Sequence, residues 1–592
     1  MVCCRSTSRP NARWPPSSGP TRRSSSSRCS VGFRSTSQPR SLKSKPPNRE
    51  VSKLPGVTPF PEELAARYRE LGYWEDNPQG RYYNDVFATH GDLVAMVSGD
   101  DRVTFAQLKE RIDRLALHLL ELGVAPLDRW VVQLPNVPEF VYLYFALQRL
   151  GAIPIMALAS HRWTEINAFF ELSEASGYAV SEKLGDFDSS QLIAPIREAH
   201  PELRVVLGAA TIRQLLTRKP SLEQASLDRV EVDPEEPCIL QLSGGTTGVP
   251  KLIPRTHNDY VYNTKAAVAV NDVRPGDCLL VVLPIAHNFP LACPGISGFF
   301  VEGARVVLTE SARADDVFPL IERERVTHLE LVPALLIRYV NAPSIGGFDL
   351  SSVRVINTGG QKLQPEVKRR AEALFPSARV QEVFGMAEGL LMFVRLDDPD
   401  EVRFETVGRP VCPDDEIMIV DDERNPVTDG EIGELLVRGP YTLRGYYGVP
   451  EYNARTFTPD GFYMSGDLMR RHPSGNYVVE GRKKDLINRG GEKISAEEIE
   501  NLILSHPAVM NVACVPMPDP VLGEKTCAFV ILKAGRSLTL PELTAFLAEK
   551  GLAKFKLPER LELTDDLPLS KFGKVAKNVL TKQVAEKLSA AH

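Results

Sequence analysis

Along VTFAQLKERIDRLALHLLELGV (103–124), apolar residues recur every three or four positions. Phe105, Leu108, Ile112, Leu115, Leu119 and Leu122 fall on one helical face, and Gly123 follows where a left-handed cap belongs. Before it, GVTPFPEELAARYRELGYW, starting near Val57, has a short helical pattern. RWVVQL (129–134), AIPIMA, RVVL and CLLVVLP (278–284) are compact β-rich runs separated by helical stretches. Strands alternating with helices predict parallel sheets covered on both faces, an α/β class. From about residue 405, EIMIVDDERNPVTDGEIGELLVRGP brings short strands and D-D, D-G and G-P punctuation, which predict a small antiparallel β unit. A third texture begins after GRKKD (481–485). Ser495 and Glu498 predict a capping box that opens the helix ISAEEIENLILSHP, followed by strands NVACVPM and TCAFVIL and a helix from Pro541. A small α+β domain is expected over about 485–592.

Composition changes this picture at one end of the chain. The 592 residues are 43% hydrophobic and 25% charged, with a net charge of −6. Residues 1–49 hold eleven Lys/Arg, thirteen serines and no acid, which leaves 59 basic against 76 acidic side chains in residues 50–592. The Arg/Ser-rich segment predicts disorder; it imitates an organelle transit peptide, but an upstream start codon adding functionless sequence is the favoured account. The acidic body argues against nucleic acid as a partner. No apolar run approaches the roughly 20 residues needed to cross a bilayer, so no membrane partner is expected. Nine scattered cysteines without a C-x-x-C offer neither a disulfide framework nor a zinc knuckle, and point to a reducing, cytoplasmic setting.

Four clusters bear chemistry. In LSGGTTGVPKLIPRTH (242–257), Gly244, Gly245 and Gly248 let backbone N–H groups approach an anion. Ser243, Thr246 and Thr247 add hydroxyls, and Lys251 adds charge. The lysine follows Val-Pro, so this is not the GxxxxGK[ST] loop. INTGGQKL (356–363) with VQEVFGMAEG (380–389) sets Gly359, Gly360 and Gln361 near Val383, Phe384 and Ala387, a backbone shelf for a flat ring, and offers Glu388 as a magnesium ligand. YMSGDLMRR and GRKKDLINRGGEKIS supply Asp467 and Arg482, suited to vicinal hydroxyls of a ribose. PLSKFGKVAKNVL places Lys574 after a glycine. A fifth stretch, LPIAHNFPLACPG (283–295), admits a metal site, a thiol nucleophile or a pocket wall, although its spacing is wrong for zinc.

The phosphate loop, Gly-Gly plus FGMAE, YxSGD, GRxKD and a C-terminal GK stand in the order and spacing of the adenylate-forming superfamily, which the chain resembles over about residues 55–585. The resemblance implies an α/β fold: a large N-terminal domain of two doubly wound α/β subdomains plus a small β-barrel (50–483), and a mobile α+β C-terminal domain (484–592). It implies that a carboxylate attacks the α-phosphorus of ATP to give an acyl adenylate and pyrophosphate, and that a thiol then takes the acyl group. By resemblance, the loop with Thr246 and Thr247 holds the β- and γ-phosphates, and Glu388 holds Mg²⁺. Gly359, Gly360, Val383 and Phe384 form the adenine shelf, and Asp467 and Arg482 the ribose clamp. Lys574 bridges carboxylate and α-phosphate. The C-terminal domain turns about Lys484, where many members have Asp, and Gly490 and Gly491 then face the thiol's channel.

HNFPLAC further resembles the stand-alone aryl-acid adenylating enzymes of siderophore assembly. There the residue matching Asn288 bonds the acid, the aromatic matching Phe289 flanks its ring, Cys293 faces ring carbon 3, Leu391 closes the far side, and His287 sits at the adenylate end. The motif lacks the carboxylate that an amino acid's ammonium requires. Cysteine where catechol-activating members have serine, with Phe rather than Tyr at 289, favours salicylate over 2,3-dihydroxybenzoate. The expected acceptor is the phosphopantetheine thiol of an aryl carrier domain of a nonribosomal peptide synthetase, in a mycobactin-type pathway. Coenzyme A, in an aryl- or acyl-CoA ligase, is the other acceptor, and a non-catalytic nucleotide-binding protein the other class.

Overall fold

The computed structural model describes residues 53–243, 250–361, 363–490, 492–569 and 574–589, without the side chains of Lys484, Lys493 and Ser589. The Arg/Ser-rich extension, residues 1–49, lies outside them, as do Gly244, Gly245, Thr246, Thr247, Gly248 and Gly491.

Two α/β sheets form the body. The larger has nine strands in the order Arg409–Pro410, Leu391–Phe393, Arg379–Gly385, Val355–Gly359, His328–Leu331, Cys278–Val281, Arg305–Leu308, Val94–Ser98 and Asp101–Thr104. Its six middle strands are parallel, and antiparallel strands close both edges. The second has six strands, from Leu252–Thr256 through Pro237–Leu242, Ile153–Met156, Arg129–Gln133 and Gly177–Val180 to Val205–Gly208. Runs such as CLLV (278–281) are buried at every position, because helices cover both faces of a parallel sheet and neither meets water.

The helix between these sheets follows its sequence pattern. It runs Phe105–Glu121, with Thr104 and Gln107 making a reciprocal capping box. Gly123 takes φ +81° just past its end. The antiparallel unit expected after residue 405 is a four-stranded sheet in linear order: Glu416–Val420, Gly433–Arg438, Tyr463–Arg471, Tyr477–Arg482.

Sheet pairing changes after Arg482. A five-stranded sheet then joins Glu492–Ser495, Leu486–Arg489, Gly523–Leu532 and Val509–Asp519, with Arg560–Leu563 parallel to Gly523–Leu532. The helix after Ser495 corrects the sequence reading in one respect. Ser495 Oγ accepts from Glu498 N (3.3 Å), but the Glu498 carboxylate turns to Lys556 at 2.7 Å instead of returning to the cap. A nearby cation outbids a backbone N–H for a carboxylate. No helix among the described residues is long and apolar enough to cross a membrane.

Candidate active site

The glycine-rich loop joins an antiparallel hairpin, Pro237–Leu242 with Leu252–Thr256. Ser243 locks its base: its Oγ accepts from Lys251 N and its own N–H donates to Lys251 O, both at 2.9 Å. The Lys251 ammonium lies 4.1 Å from the centroid of the Tyr452 ring. That cation–π contact, between residues 201 positions apart in number, leaves no local signal in the sequence.

Gly359 ends a central parallel strand and pairs with Val383. A Cβ built on Gly359 would stand 2.4 Å from Val383 O, so only glycine lets these strand ends close into a flat backbone shelf. Gly360 follows with φ +93°, and a Cβ there would meet Lys574 Cε at 3.3 Å. Lys574 therefore lies over this shelf. Its charge acts on His287 and on Asp467. Gln361 adjoins Gly360 half-buried, and Phe384 and Ala387 are half-buried beside the small β unit. The Ala387 carbonyl accepts from Arg255 Nη1 at 3.0 Å.

Asp467 and Arg482 are register partners on adjacent strands, with Arg482 Nε 2.8 Å from Asp467 Oδ1. Burial pushes the Asp467 carboxyl up, against the pull of Arg482 and Lys574. Glu388 is buried close by, and Tyr446 O–H donates to its Oε1 at 2.7 Å; the Tyr446 and Tyr463 hydroxyls are 3.0 Å apart. Glu388 is a hard oxygen donor on a fixed backbone, of the kind Mg²⁺ accepts when phosphate and water complete its shell. The residues fit the ion on that ground. Among the described residues no group of three or more His, Cys, Asp or Glu is placed to hold a metal alone.

The stretch that the sequence left open forms a short helix, Asn288–Ala292, capped by His287, whose Nδ1 accepts from Phe289 N at 3.2 Å. Burial, then the Lys574 charge, holds the His287 imidazole down to about 4, so it is neutral at pH 7. Asn288 is buried between two partners. Its Oδ1 accepts from Tyr260 O–H (2.8 Å), and its Nδ2 donates to Cys293 Sγ (3.2 Å). Asn263 Nδ2 also reaches Cys293 Sγ, at 3.8 Å. Burial pushes the Cys293 thiol up to about 12; it stays protonated and is no nucleophile. Phe289, Cys293, Val383 and Leu391 belong to one buried apolar cluster. Leu391 N donates to Tyr441 O–H at 3.1 Å.

Sequence reasoning missed the helix His257–Asn271 behind this wall. It supplies Tyr260 and Asn263, and Arg255 precedes it, fully buried and paired with Asp259 at 2.9 Å. The available signal was chemical. HNDYVYNTK is polar on every side, which a surface helix of a globular domain seldom is unless its polar groups are spoken for inside. Lys484 lies in a single 3₁₀ turn, Lys483–Asp485, between the two sheets that meet after Arg482, and Gly490 takes φ +60° in the following hairpin.

Residues 84–447 match the AMP-binding enzyme family and residues 498–574 the AMP-binding enzyme C-terminal domain. A salicylyl-CoA synthase / salicylate adenylyltransferase of a Streptomyces species is 48% identical over 89% of this chain and 97% of its own length. The 2,3-dihydroxybenzoate-AMP ligase of Bacillus subtilis is 45% identical over 91% of this chain and 99% of its own. The apo structure of MbtA from Mycobacterium smegmatis is 41% identical, covers 89% of this chain and 99% of its own, and superposes with a TM-score of 0.67. With two family segments in order, a shared fold and identity well above 30% over about nine tenths of its length, the chain belongs to the AMP-binding, adenylate-forming enzymes.

Proposed function

We propose that the protein activates salicylate with ATP, releasing pyrophosphate, and passes the salicyl group from salicyl-AMP to the phosphopantetheine thiol of an aryl carrier domain in siderophore synthesis. The observation that supports the adenylating half is the position of Lys574 over the Gly359–Gly360 shelf, within electrostatic reach of His287 and Asp467. A carboxylate and a triphosphate repel, so their reaction needs positive charge at the meeting point more than a base. Lys574 supplies it between the two anions. Asp467 and Arg482 hold the ribose, the loop from Ser243 to Lys251 with Gly244, Gly245, Thr246, Thr247 and Gly248 holds the terminal phosphates, and Glu388 would hold Mg²⁺, which neutralises them. The C-terminal domain, residues 484–592, then turns at Lys484, withdraws Lys574, and brings Gly490 and Gly491 to the thiol's path.

The Asn288–Cys293 pair supports salicylate as the acid. Asn288 keeps its amide turned by Tyr260, while the Cys293 thiol already accepts the Asn288 N–H and is a weak donor toward a hydroxyl on ring carbon 3. A serine there would serve a catechol better. Two neighbouring readings have their own support: the Bacillus relative is named for 2,3-dihydroxybenzoate, and the Streptomyces relative for a CoA thioester. ATP–pyrophosphate exchange with both acids, for wild type and Cys293→Ser, tests the acid. Salicylate should lead in wild type, and the serine variant should move the ratio at least ten-fold toward the catechol. A wild type that prefers the catechol, or accepts neither, refutes the reading. Loading of carrier domain against CoA decides the acceptor, and the expected setting is the cytoplasm, where both are made.

A further inference from the structure

An open cavity of about 540 Å³ lies beside the small β unit, and three arginines line it. They come from separate stretches of the chain. Arg424 sits in the turn between strands Glu416–Val420 and Gly433–Arg438, Arg444 follows the second of these strands, and Arg455 is on the short helix Pro450–Thr456. Thr58 and Asn453 add polar groups, Phe457 gives an apolar wall, and no Asp or Glu lines the cavity. None of these residues belongs to the site described above.

In a body with 59 basic against 76 acidic side chains, three guanidiniums with no acid among them run against the average. Acids close by in sequence serve other partners. Asp421 accepts from Asn425 N at 2.8 Å, Asp422 pairs with Lys483 at 3.1 Å, and Asp460 accepts from Thr458 O–H at 2.6 Å. Glu416, whose charge Arg444 feels, accepts from Arg438 twice, at 3.2 and 2.6 Å. No carboxylate among the described residues stands within 4.0 Å of a side-chain nitrogen of Arg424, Arg444 or Arg455. A guanidinium does not shed its proton, so this charge is met by solvent or by an anionic ligand. Arg444 is also fixed in place. Its Nη1 donates to Gly461 O at 2.8 Å, and a Cβ on Gly461 (φ +85°) would stand 1.9 Å from its Nη2, so only glycine lets the guanidinium lie against that turn. Burial holds its pKa below the ordinary guanidinium value, with Arg438 adding to this and Tyr68 and Glu416 opposing.

We propose that this cavity binds a diphosphate group, as free pyrophosphate or as the phosphate tail of a nucleotide. Guanidinium forks match phosphate oxygens two at a time, and three of them from three directions suit a compact anion of several charges better than a single carboxylate. The volume falls within the roughly 300–1,000 Å³ of small-molecule sites, more than one phosphate or sulfate requires. A concave site on an acidic body does not suit nucleic acid. The wall also backs onto the proposed nucleotide machinery. Asn453 Nδ2 donates to Tyr446 O at 2.8 Å and its Oδ1 accepts from Tyr446 N at 2.9 Å, and Tyr446 is the donor to Glu388. The site uses none of the acid pocket's residues and does not depend on which acid is activated.

The test is calorimetric titration of the full chain with pyrophosphate in magnesium-free buffer, for wild type, Lys251→Ala, and Arg424→Gln and Arg455→Gln singly and together. Both arginines are exposed, so their variants should melt with wild type. Lys251→Ala alters the loop proposed for ATP and should retain a pyrophosphate-binding component. The double glutamine variant should weaken that component at least ten-fold, each single variant should fall between, and added salt should weaken it in wild type. ADP that displaces pyrophosphate from the Lys251→Ala chain identifies a nucleotide tail as the ligand; ADP that leaves it bound identifies free pyrophosphate. Loss of all pyrophosphate binding in Lys251→Ala, equal affinity in wild type and the double glutamine variant, or sulfate bound as tightly as pyrophosphate overturns the assignment.

Discussion

Asn288 shows what one buried amide needs. Its orientation is fixed from behind by Tyr260, at 2.8 Å, and Tyr260 is itself held by Gln241 Nε2 at 3.2 Å. Tyr260→Phe removes the donor but not the packing. A typical hydrogen bond of this kind is worth about 0.5–1.5 kcal/mol, so KM for the acid should rise roughly 2- to 13-fold, with kcat less affected. An equal fall in kcat at unchanged KM would mean that Tyr260 acts in the transition state instead. At this scale the sequence was informative where a motif is contiguous: His287, Asn288, Phe289 and Cys293 fall together in space because they share one short helix and its caps. It was silent on Tyr260 and Asn263. Both come from another helix, His257–Asn271, and no local spacing records that meeting.

Sheet elements set the proposed nucleotide shelf and one pH response. Gly359→Ala would press a methyl against Val383 O at 2.4 Å, and backbone cannot yield as a side-chain tip can. The strand ends should part, costing about 1–3 kcal/mol of stability by analogy with overpacked cores and weakening ATP binding together with it. Thermal melts and nucleotide titration of the same variant read both, and a stable variant with normal affinity would contradict the close approach. The pH response belongs to Asp415, beside the small β unit. Burial pushes its carboxyl up to about 8 from 3.8, against the hydrogen bond from Tyr441 O–H at 2.6 Å. Tyr441, Cys412 and Asp414 face it. The folded protein keeps a proton there that the unfolded chain sheds above about pH 4, so this group's contribution is complete below that value and lost as pH rises toward 8. Melting temperature should therefore fall from pH 6 to pH 9, and Asp415→Asn should flatten that slope. Elements with a clear apolar period, such as Phe105–Glu121, were legible beforehand. His257–Asn271 was not, because polar His257, Asn258, Asp259, Asn263, Thr264 and Asn271 sit on its buried faces and erase the apolar period.

At the scale of the whole molecule, one lysine belongs to two domains' work. Lys574 is on the C-terminal side of the chain, yet its neighbours here are Gly360, His287 and Asp467 of the large body. Other ties across this boundary among the described residues include Arg338 with Asp566 at 4.0 Å, both exposed, Gln364 with Asn501, and Ser495 Oγ donating to Glu480 O at 2.6 Å. An exposed ion pair such as Arg338–Asp566 holds little energy, so it is no obstacle to the domain's departure. On the proposed mechanism the lysine's charge serves the step in which two anions meet; it has no such task when a thiol attacks an adenylate already made. Lys574→Ala should thus lower pyrophosphate exchange by about 10²–10³, the loss typical of one removed donor to developing charge. The same variant, given chemically prepared aryl adenylate, should load the thiol acceptor within a few-fold of wild type. Rapid-quench measurement of the two half-reactions separates them. Equal losses in both would mean that Lys574 shapes the site as a whole, and that the domain's departure from this position is not what opens the way to the thiol.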